Sequence, residues 1–442
     1  MKKVDLTKGK VWKVLLALAL PIMGSSILQF TYNLIDMLWV GRLGSDALAS
    51  IGSASFFIGL GYSINAMVVI GTGIKVAHAI GRKDEYEIKQ YINIGILLNS
   101  MIGLVYATLL IGGGKYFIQF LHLENVGVEK NAYLYLAWSG PMLFFAYFNL
   151  LYTRIFGSFG DNKSALKISG MGILINIILD PILIYGMKWG VTGAAIATLI
   201  ANIVMFVVFR IKAKYLFRYD AEVGIDTEKL KEVVQLGFPM AFQRILFTLV
   251  NIILARMITV FGSDAIAAQK IGLQIESVTY MVIGGLNGAV VSFTGQNFGA
   301  KKYERIHKGY DTALKIGIGY AVITAIIFIL IPRQLVELFV REENTIIIAS
   351  YYLQIIAISQ VFSAVEMVSN GLFTGIGMPK VPAKVSILFT VLRIPMAFIL
   401  MSRLGVSGIW WSIALSSVLK GITMYIVYRL KVRKRYNDVT AY

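Results

Sequence analysis

The sequence predicts an all-α membrane protein built as two pseudo-symmetric bundles of six transmembrane helices each. Apolar residues make up 57% of the 442-residue chain and mean hydropathy is +0.71. Apolar runs of about 20 residues, enough to cross a bilayer as a helix, recur from one end to the other. Most of the 42 Lys and Arg, which outnumber the 24 Asp and Glu, fall on one alternate set of loops and tails, the bias that marks cytoplasmic segments. Finally, the two halves of the chain repeat one another.

Span 1, at 14–40, sets the pattern. It carries Pro21, Gln29, Tyr32, Asn33 and Asp36, and an ionised carboxylate at membrane depth costs about 2.5 to 3.5 kcal/mol, so Asp36 is expected to face the bundle interior. The span is too long for a signal-peptide core and no small-residue cleavage pattern follows it, so it is expected to stay as a membrane helix. Spans 2 to 6 are expected at 51–77, 91–112, 132–153, 164–187 and 190–210, the last two joined by a tight outer turn at Lys188 to Gly190. The charged segment 211–231 reads as a cytoplasmic linker with a short amphipathic helix near Thr227 to Val234. Spans 7 to 12 follow at 232–260, 271–296, 311–332, 348–373, 381–402 and 405–428. The expected organisation is an N-lobe at 1–210, the linker at 211–231 and a C-lobe at 232–442. Six spans per lobe insert both lobes the same way up and leave both termini cytoplasmic.

Pro21 matches Pro239, Gly44-Ser45-Asp46-Ala47 matches Gly262-Ser263-Asp264-Ala265, and Gly81 matches Gly299, all at one spacing. Phe156-Gly157-Ser158-Phe159-Gly160 then aligns with Phe373-Thr374-Gly375-Ile376-Gly377, and Gly190-Val191-Thr192-Gly193 with Gly405-Val406-Ser407-Gly408, at slightly shorter spacings. Ordered matches of this kind mark a duplication, and parallel repeats about an axis along the membrane normal point to alternating access.

Composition excludes several classes. The formal charge of +18 is distributed on one side of the membrane, which suits anionic headgroups rather than nucleic acid. With no cysteine, disulfides and thiolate chemistry are excluded. His78, His122 and His307 do not cluster, no nucleophile elbow or metal motif supports an enzyme, and no Walker motif supports ATP as the energy source. Gly71-Thr72-Gly73 and Gly284-Gly285 read as close helix packing.

The acids inside spans are Asp36, Asp180, Glu276 and Glu366. Across the repeat they fall on Leu254, near Arg393, on Ile58 and on Asn149, so a symmetric scaffold carries asymmetric chemistry. Asn176 and Asp180 share one face of span 5. Thr198 lies about as far beyond the outer turn as Asp180 lies before it, and Asp36 sits near the same depth. Two carboxylates, an amide oxygen and a hydroxyl form a hard-oxygen set suited to Na⁺, and the carboxylates alone can carry protons. Pro181 frees a backbone carbonyl one turn earlier that can join the shell. The alternative is a polar cluster that only ties spans 1, 5 and 6 together. The second lobe offers Gln243, Arg244, Glu276, Glu366 and Arg393, which read either as paired charges in a structural network or as a site for cationic substrates. The 25 Phe, 23 Tyr and 17 Met supply ring faces and pliable thioethers for flat cations.

The run Gly295-Gln296-Asn297-Phe298-Gly299-Ala300 after Gln274-Ile275-Glu276-Ser277, with Asn33-Leu34-Ile35-Asp36 and Val40-Gly41-Arg42-Leu43-Gly44, resembles the multidrug and toxic compound extrusion (MATE) family. It is most similar to the prokaryotic DinF-like branch. The resemblance covers essentially the whole chain. It implies two six-helix bundles around a V-shaped cavity, acting as a monomer in the bacterial inner membrane and exporting organic cations or amphiphilic drugs against H⁺ or Na⁺, with no other cofactor. It also implies that Asp36, Asn176, Asp180 and Thr198 form the first-lobe cation site, that Gln29 and Tyr32 line the adjacent cavity, and that Pro21 is the hinge of helix 1. One departure is visible. The NorM-like and eukaryotic branches carry a second-lobe acid on helix 7, where this chain has Gln243 and Arg244, and their helix 10 acid falls near Ser363, a turn from Glu366. The nearest alternative function is a flippase for lipid-linked saccharides. That would want a strongly cationic cavity, whereas Asp36 and Asp180 have no obvious basic partner.

Overall fold

The computed structural model describes residues 4–123 and 125–433; the tail residues before and after these, on which the expected cytoplasmic termini in part rest, lie outside the described residues. The helices are α1 (Val11–Gly41), α2 (Ser45–Arg82), α3 (Glu85–Gln119), α4 (Val126–Ser158), α5 (Asn162–Pro181), α6 (Gly190–Lys212), α7 (Lys214–Phe217) and α8 (Thr227–Thr259). The second half adds α9 (Ser263–Gly299), α10 (Tyr303–Leu330), α11 (Pro332–Glu337), α12 (Glu343–Ala357), α13 (Gln360–Gly375), α14 (Lys380–Leu404) and α15 (Val406–Val427). Among the described residues 11 helices are long and apolar enough to cross a membrane, and α12 and α13 are so only taken together, bent by 54° at their junction.

Two expectations need correction. Span 10 is not one straight helix: it breaks around Ile358, where Ser359 N bonds back to Ile356 O at 3.0 Å and Ser363 N to Ser359 O at 2.9 Å. Apolar composition runs unbroken through this point, so hydropathy alone does not reveal it. Nor is there a separate amphipathic helix near 227–234. Those residues are the first turns of α8, begun by Asp226 Oδ1 accepting from Glu228 N at 2.8 Å, and held because Leu230, Val233 and Val234 pack into a core with Tyr91, Tyr152 and Phe217. The short helix in the linker is α7 instead.

The repeat extends to backbone conformation. Gly44 (φ 106°) opens α2 and Gly262 (φ 92°) opens α9, while Lys83 (φ 61°) and Lys301 (φ 56°) take left-handed turns just beyond the other ends of those helices. A left-handed non-glycine residue is uncommon, so its recurrence at matched positions supports the duplication.

Packing divides the chain into two units. One is Gly24–Ala241 with the residues up to Asp5; the other is Leu6–Met23 with the residues from Phe242 on. The divisions fall inside α1 and α8, just after Pro21 and Pro239, rather than in the 211–231 linker that separates the halves in sequence. Loops show in composition; helix partners depend on close approach. In the first unit a Cβ on Gly237 would lie 1.8 Å from Met67 O, and one on Gly71 2.0 Å from Val233 O, so the start of α8 meets α2 backbone to backbone. In the second unit Gly285 gives α1 room: a Cβ there would lie 2.4 Å from Met23 Cγ.

The first unit packs α2, α3, α4 and α6 around Phe148, Tyr152, Phe156 and Phe209. The second packs α9, α10, α12, α13 and α15 around Tyr352, Trp410 and their neighbours. It also seats the chain's start. Leu6 N donates to Gln296 Oε1 at 3.0 Å, Lys302 Nζ to Thr7 O at 2.9 Å, and Arg305 to the carbonyls of Lys8 at 2.6 Å and Gly9 at 2.8 Å. Large apolar side chains such as Leu20, Leu104, Leu174 and Leu330 stand exposed on the outer surfaces, as lipid contact requires.

Candidate functional site

The site grows from the α5–α6 hairpin of the first unit. Pro181 lacks an N–H, so the helical ladder cannot continue regularly past it, and the chain passes into a π-helical turn at Ile182–Gly186. Met187 N closes on Ile182 O at 2.8 Å and Trp189 N on Leu183 O at 3.1 Å. Lys188 (φ 58°) and Gly190 (φ 52°) then reverse the chain. Gly193 completes the return: a Cβ there would meet Leu183 C and O at 2.8 Å, so α6 lies against the end of α5 with nothing between.

This brings Thr198 to Asn176 and Asp180. Asn176 Nδ2 points at Asp180 Oδ1 and at Thr198 Oγ1, 3.4 Å from each. The Thr198 hydroxyl donates to Ala194 O at 3.0 Å, which leaves its lone pairs toward the site, and the Tyr32 hydroxyl lies 3.5 Å from it. Asp36, one turn on from Tyr32, is within electrostatic reach of Asp180, and Tyr135 of α4 is in range of both carboxylates. The C-terminal end of α1 is fixed there by the Tyr185 hydroxyl, which donates to Trp39 O. The four residues expected to form the cation set, Asp36, Asn176, Asp180 and Thr198, therefore stand together.

Their oxygens are unevenly satisfied. Asp180 is 0% exposed and Asn176 2%. Asp36 Oδ1, Asn176 Oδ1 and Asp180 Oδ2 are buried with no hydrogen-bond donor among the described residues. Leaving a buried acceptor unmade costs about 1 to 3 kcal/mol. Three such oxygens beside a hydroxyl fit a proton or a hard cation such as Na⁺. Of the expected cavity residues, Tyr32 touches this group, while Gln29 and Asn33 bond each other on the exposed side of α1, Nε2 to Oδ1 at 3.1 Å. Pro21 lies in the α1 segment that belongs to the second unit, within a turn of the division.

In the second unit the charged residues lie among hydroxyl and amide groups. Among the described residues no cation stands within ion-pair distance of Glu276, although Arg393 is within electrostatic reach. Its carboxylate accepts from the Tyr280 hydroxyl at 2.9 Å, the Tyr352 hydroxyl at 2.8 Å and Gln360 Nε2 at 3.5 Å. Arg393 donates to Ser416 Oγ at 2.6 Å and Ser417 Oγ at 3.4 Å. Glu366 is paired with Lys420, at 3.9 Å. Arg244 is exposed, and Gln243 Oε1 is buried without a donor among the described residues. Hydroxyl and amide donors from α9, α12 and α13 hold the Glu276 carboxylate, and hydroxyls of α15 accept from Arg393. Lys420 is the member the site reading overlooks; its spacing from Ser416 and Ser417 on one face of α15 is the signal that identifies it.

Comparison with known proteins decides the family. The MatE family model matches residues 21–182 and again 239–399, each match opening on one of the paired prolines. The chain belongs to the MatE family. MATE proteins are transporters, so it is not an enzyme. The Bacillus subtilis probable multidrug resistance protein YoeA is 28% identical, with 97% of this chain and 96% of that protein covered. The Staphylococcus aureus multidrug export protein MepA is 24% identical, covering 96% and 95%. A solved outward-facing multidrug resistance MATE transporter of the MOP superfamily has the same fold, with a TM-score of 0.90 at 23% identity over 100% of this chain and 99% of that one.

Proposed function

We propose that this MATE protein is a secondary active exporter of cationic or amphiphilic organic compounds in the bacterial inner membrane, driven by inward flow of H⁺ or Na⁺. The observation that carries the proposal is the trio of buried oxygens without donors on Asp36, Asn176 and Asp180. A cation entering from outside satisfies them, with Thr198 completing the set for Na⁺. Because the ion binds one arrangement of α1 against α5 and α6 better than another, it shifts the population between outward and inward states. Pro21 serves as the hinge, and Gln29, Tyr32 and Asn33 line the adjoining cavity. The names of the relatives, multidrug resistance and export proteins, support drug-like substrates.

The test is transport of a fluorescent organic cation by purified protein in liposomes, with Na⁺ and pH gradients imposed separately on wild type and on Asp36→Asn. Gradient-driven movement that the substitution removes supports the proposal and identifies the ion. Absence of movement under either gradient, with the protein folded, overturns it in favour of a flippase acting on lipid-linked saccharides.

A further inference from the structure

Span 10 breaks without the residues that usually break a helix. Sharp bends are almost always at proline, at glycine and serine pairs, or where a side chain inserts into the ladder, yet residues 343–370 contain neither proline nor glycine. The first unit shows the reverse. At the spacing that pairs Phe156 with Phe373, Ile358 falls on Pro141, and α4 runs through that proline as one helix. One local candidate is Ser359, whose hydroxyl donates back to Ile356 O at 2.9 Å and gives α13 no side-chain cap. The other lies on α9. Glu276 accepts from the Tyr352 hydroxyl of α12 at 2.8 Å and from Gln360 Nε2 of α13 at 3.5 Å, so one carboxylate holds the span on both sides of its break. In an unbroken helix these two donors, eight residues apart, would stand about 12 Å from one another along the axis. Each arm is also seated separately. A Cβ on Gly272, one turn before Glu276, would lie 2.2 Å from Tyr352 Cδ1, and one on Gly421 2.4 Å from Phe362 O. The ring of Tyr352 thus fits α12 to α9, and backbone approach fits α13 to α15.

We propose that Glu276 is a positioning residue that keeps span 10 broken at Ile358, and that the break is a movable joint. With the bond from Gln360 released, α12 and α13 run on into one another as the two halves of α4 do. At 3.5 Å that bond is the longest the carboxylate accepts, so it is the first to yield. Across the repeat Glu276 falls on Ile58 and Gln360 on Leu143, so the matching positions of the first unit hold no such tie, and there the span stays whole. The second unit thereby carries a two-state element of its own, separate from the coupling site.

The chain has no cysteine, so two introduced ones report the bend without background. Spin labels on Asn344→Cys, exposed at the start of α12, and on Asn370→Cys in α13 give a label-to-label distance by pulsed electron resonance on purified protein. With a rise of about 1.5 Å per residue and the 54° bend, straightening lengthens that distance by about 4 Å. Gln360→Met removes the donor at nearly constant volume, and Gln360 Oε1 has no donor among the described residues to leave stranded. This variant, and Glu276→Met as a second approach to the same bond, are each expected to add a population about 4 Å longer than that of the wild type. Ser359→Ala is expected to keep the wild-type distance. An unchanged distance in either of the first two, eluting as the wild type does on size exclusion, overturns the proposal, as does straightening by Ser359→Ala, which assigns the break to the backbone turn. No gradient or substrate enters this measurement, so failure of the export reading leaves its outcome unchanged.

Discussion

Asp180 in the first unit and Glu276 in the second are both sealed from solvent, at 0% and 4% exposed, yet their surroundings treat them in opposite ways. Glu276 receives donors from Tyr280, Tyr352 and Gln360. Asp180 receives one long contact from Asn176, and its second oxygen has none. A carboxylate with its lone pairs filled contributes to holding helices together; one left wanting has acceptor capacity to spare. Duplication supplied both units with the same hairpin geometry, down to Gly193 against Leu183 and Gly408 against Leu400, where a Cβ would lie 2.8 Å and 2.4 Å from backbone carbon. The two units differ in the polar residues carried on that common frame.

The contrast can be broken most severely at Asp36. Asp36→Asn is expected to lower gradient-driven transport roughly 100-fold, toward the upper end of typical coupling, while the protein elutes as the wild type does on size exclusion; efflux at wild-type rate would remove Asp36 from the mechanism. Gly193→Ala attacks the frame rather than the charges. It should cost about 1 to 3 kcal/mol by overpacking, read as a lower Tm, and should weaken ion dependence because Thr198 is pushed from Asp180. Tyr352→Phe deprives Glu276 of one donor and should cost about 1.5 to 3 kcal/mol of stability with ion coupling retained; a changed ion dependence would show that the second unit shares in coupling. Thr198→Ala is the mildest. It is expected to weaken Na⁺-driven transport by roughly 3- to 10-fold, the loss of one hydrogen-bonding ligand, and to spare H⁺-driven transport. Equal loss with both ions would assign Thr198 to packing alone.

Much of this architecture is legible in composition because a bilayer forces long apolar helices. What composition misses is local. The break at Ile358 lies within uniformly apolar sequence, and the start of α8 looks like linker because it alternates Glu228, Lys229, Lys231 and Glu232 with the apolar residues it buries. In the first unit the relevant partners lie on one helix at i and i+4 or symmetrically about a turn, so spacing finds Asn176, Asp180 and Thr198. In the second unit Tyr280 stands at i+4 from Glu276, but its other donors, Tyr352 and Gln360, lie on separate helices, and no spacing rule joins them to it. Opposite charges in spans suggest pairing, but neutral hydroxyls satisfy Arg393, and Lys420 is the base that reaches Glu366.

The seating of Leu6 to Gly9 on Gln296, Lys302 and Arg305 has a consequence in time. Leu6 and Arg305, which bond one another, are 299 residues apart, and at about 5 to 20 residues per second of synthesis the later one emerges roughly 15 to 60 s after the first. The segment Leu6 to Gly9 must therefore wait for partners made much later. The first unit needs nothing beyond Ala241, whereas the second is completed only when residues 6–23 are joined by those from Phe242 on.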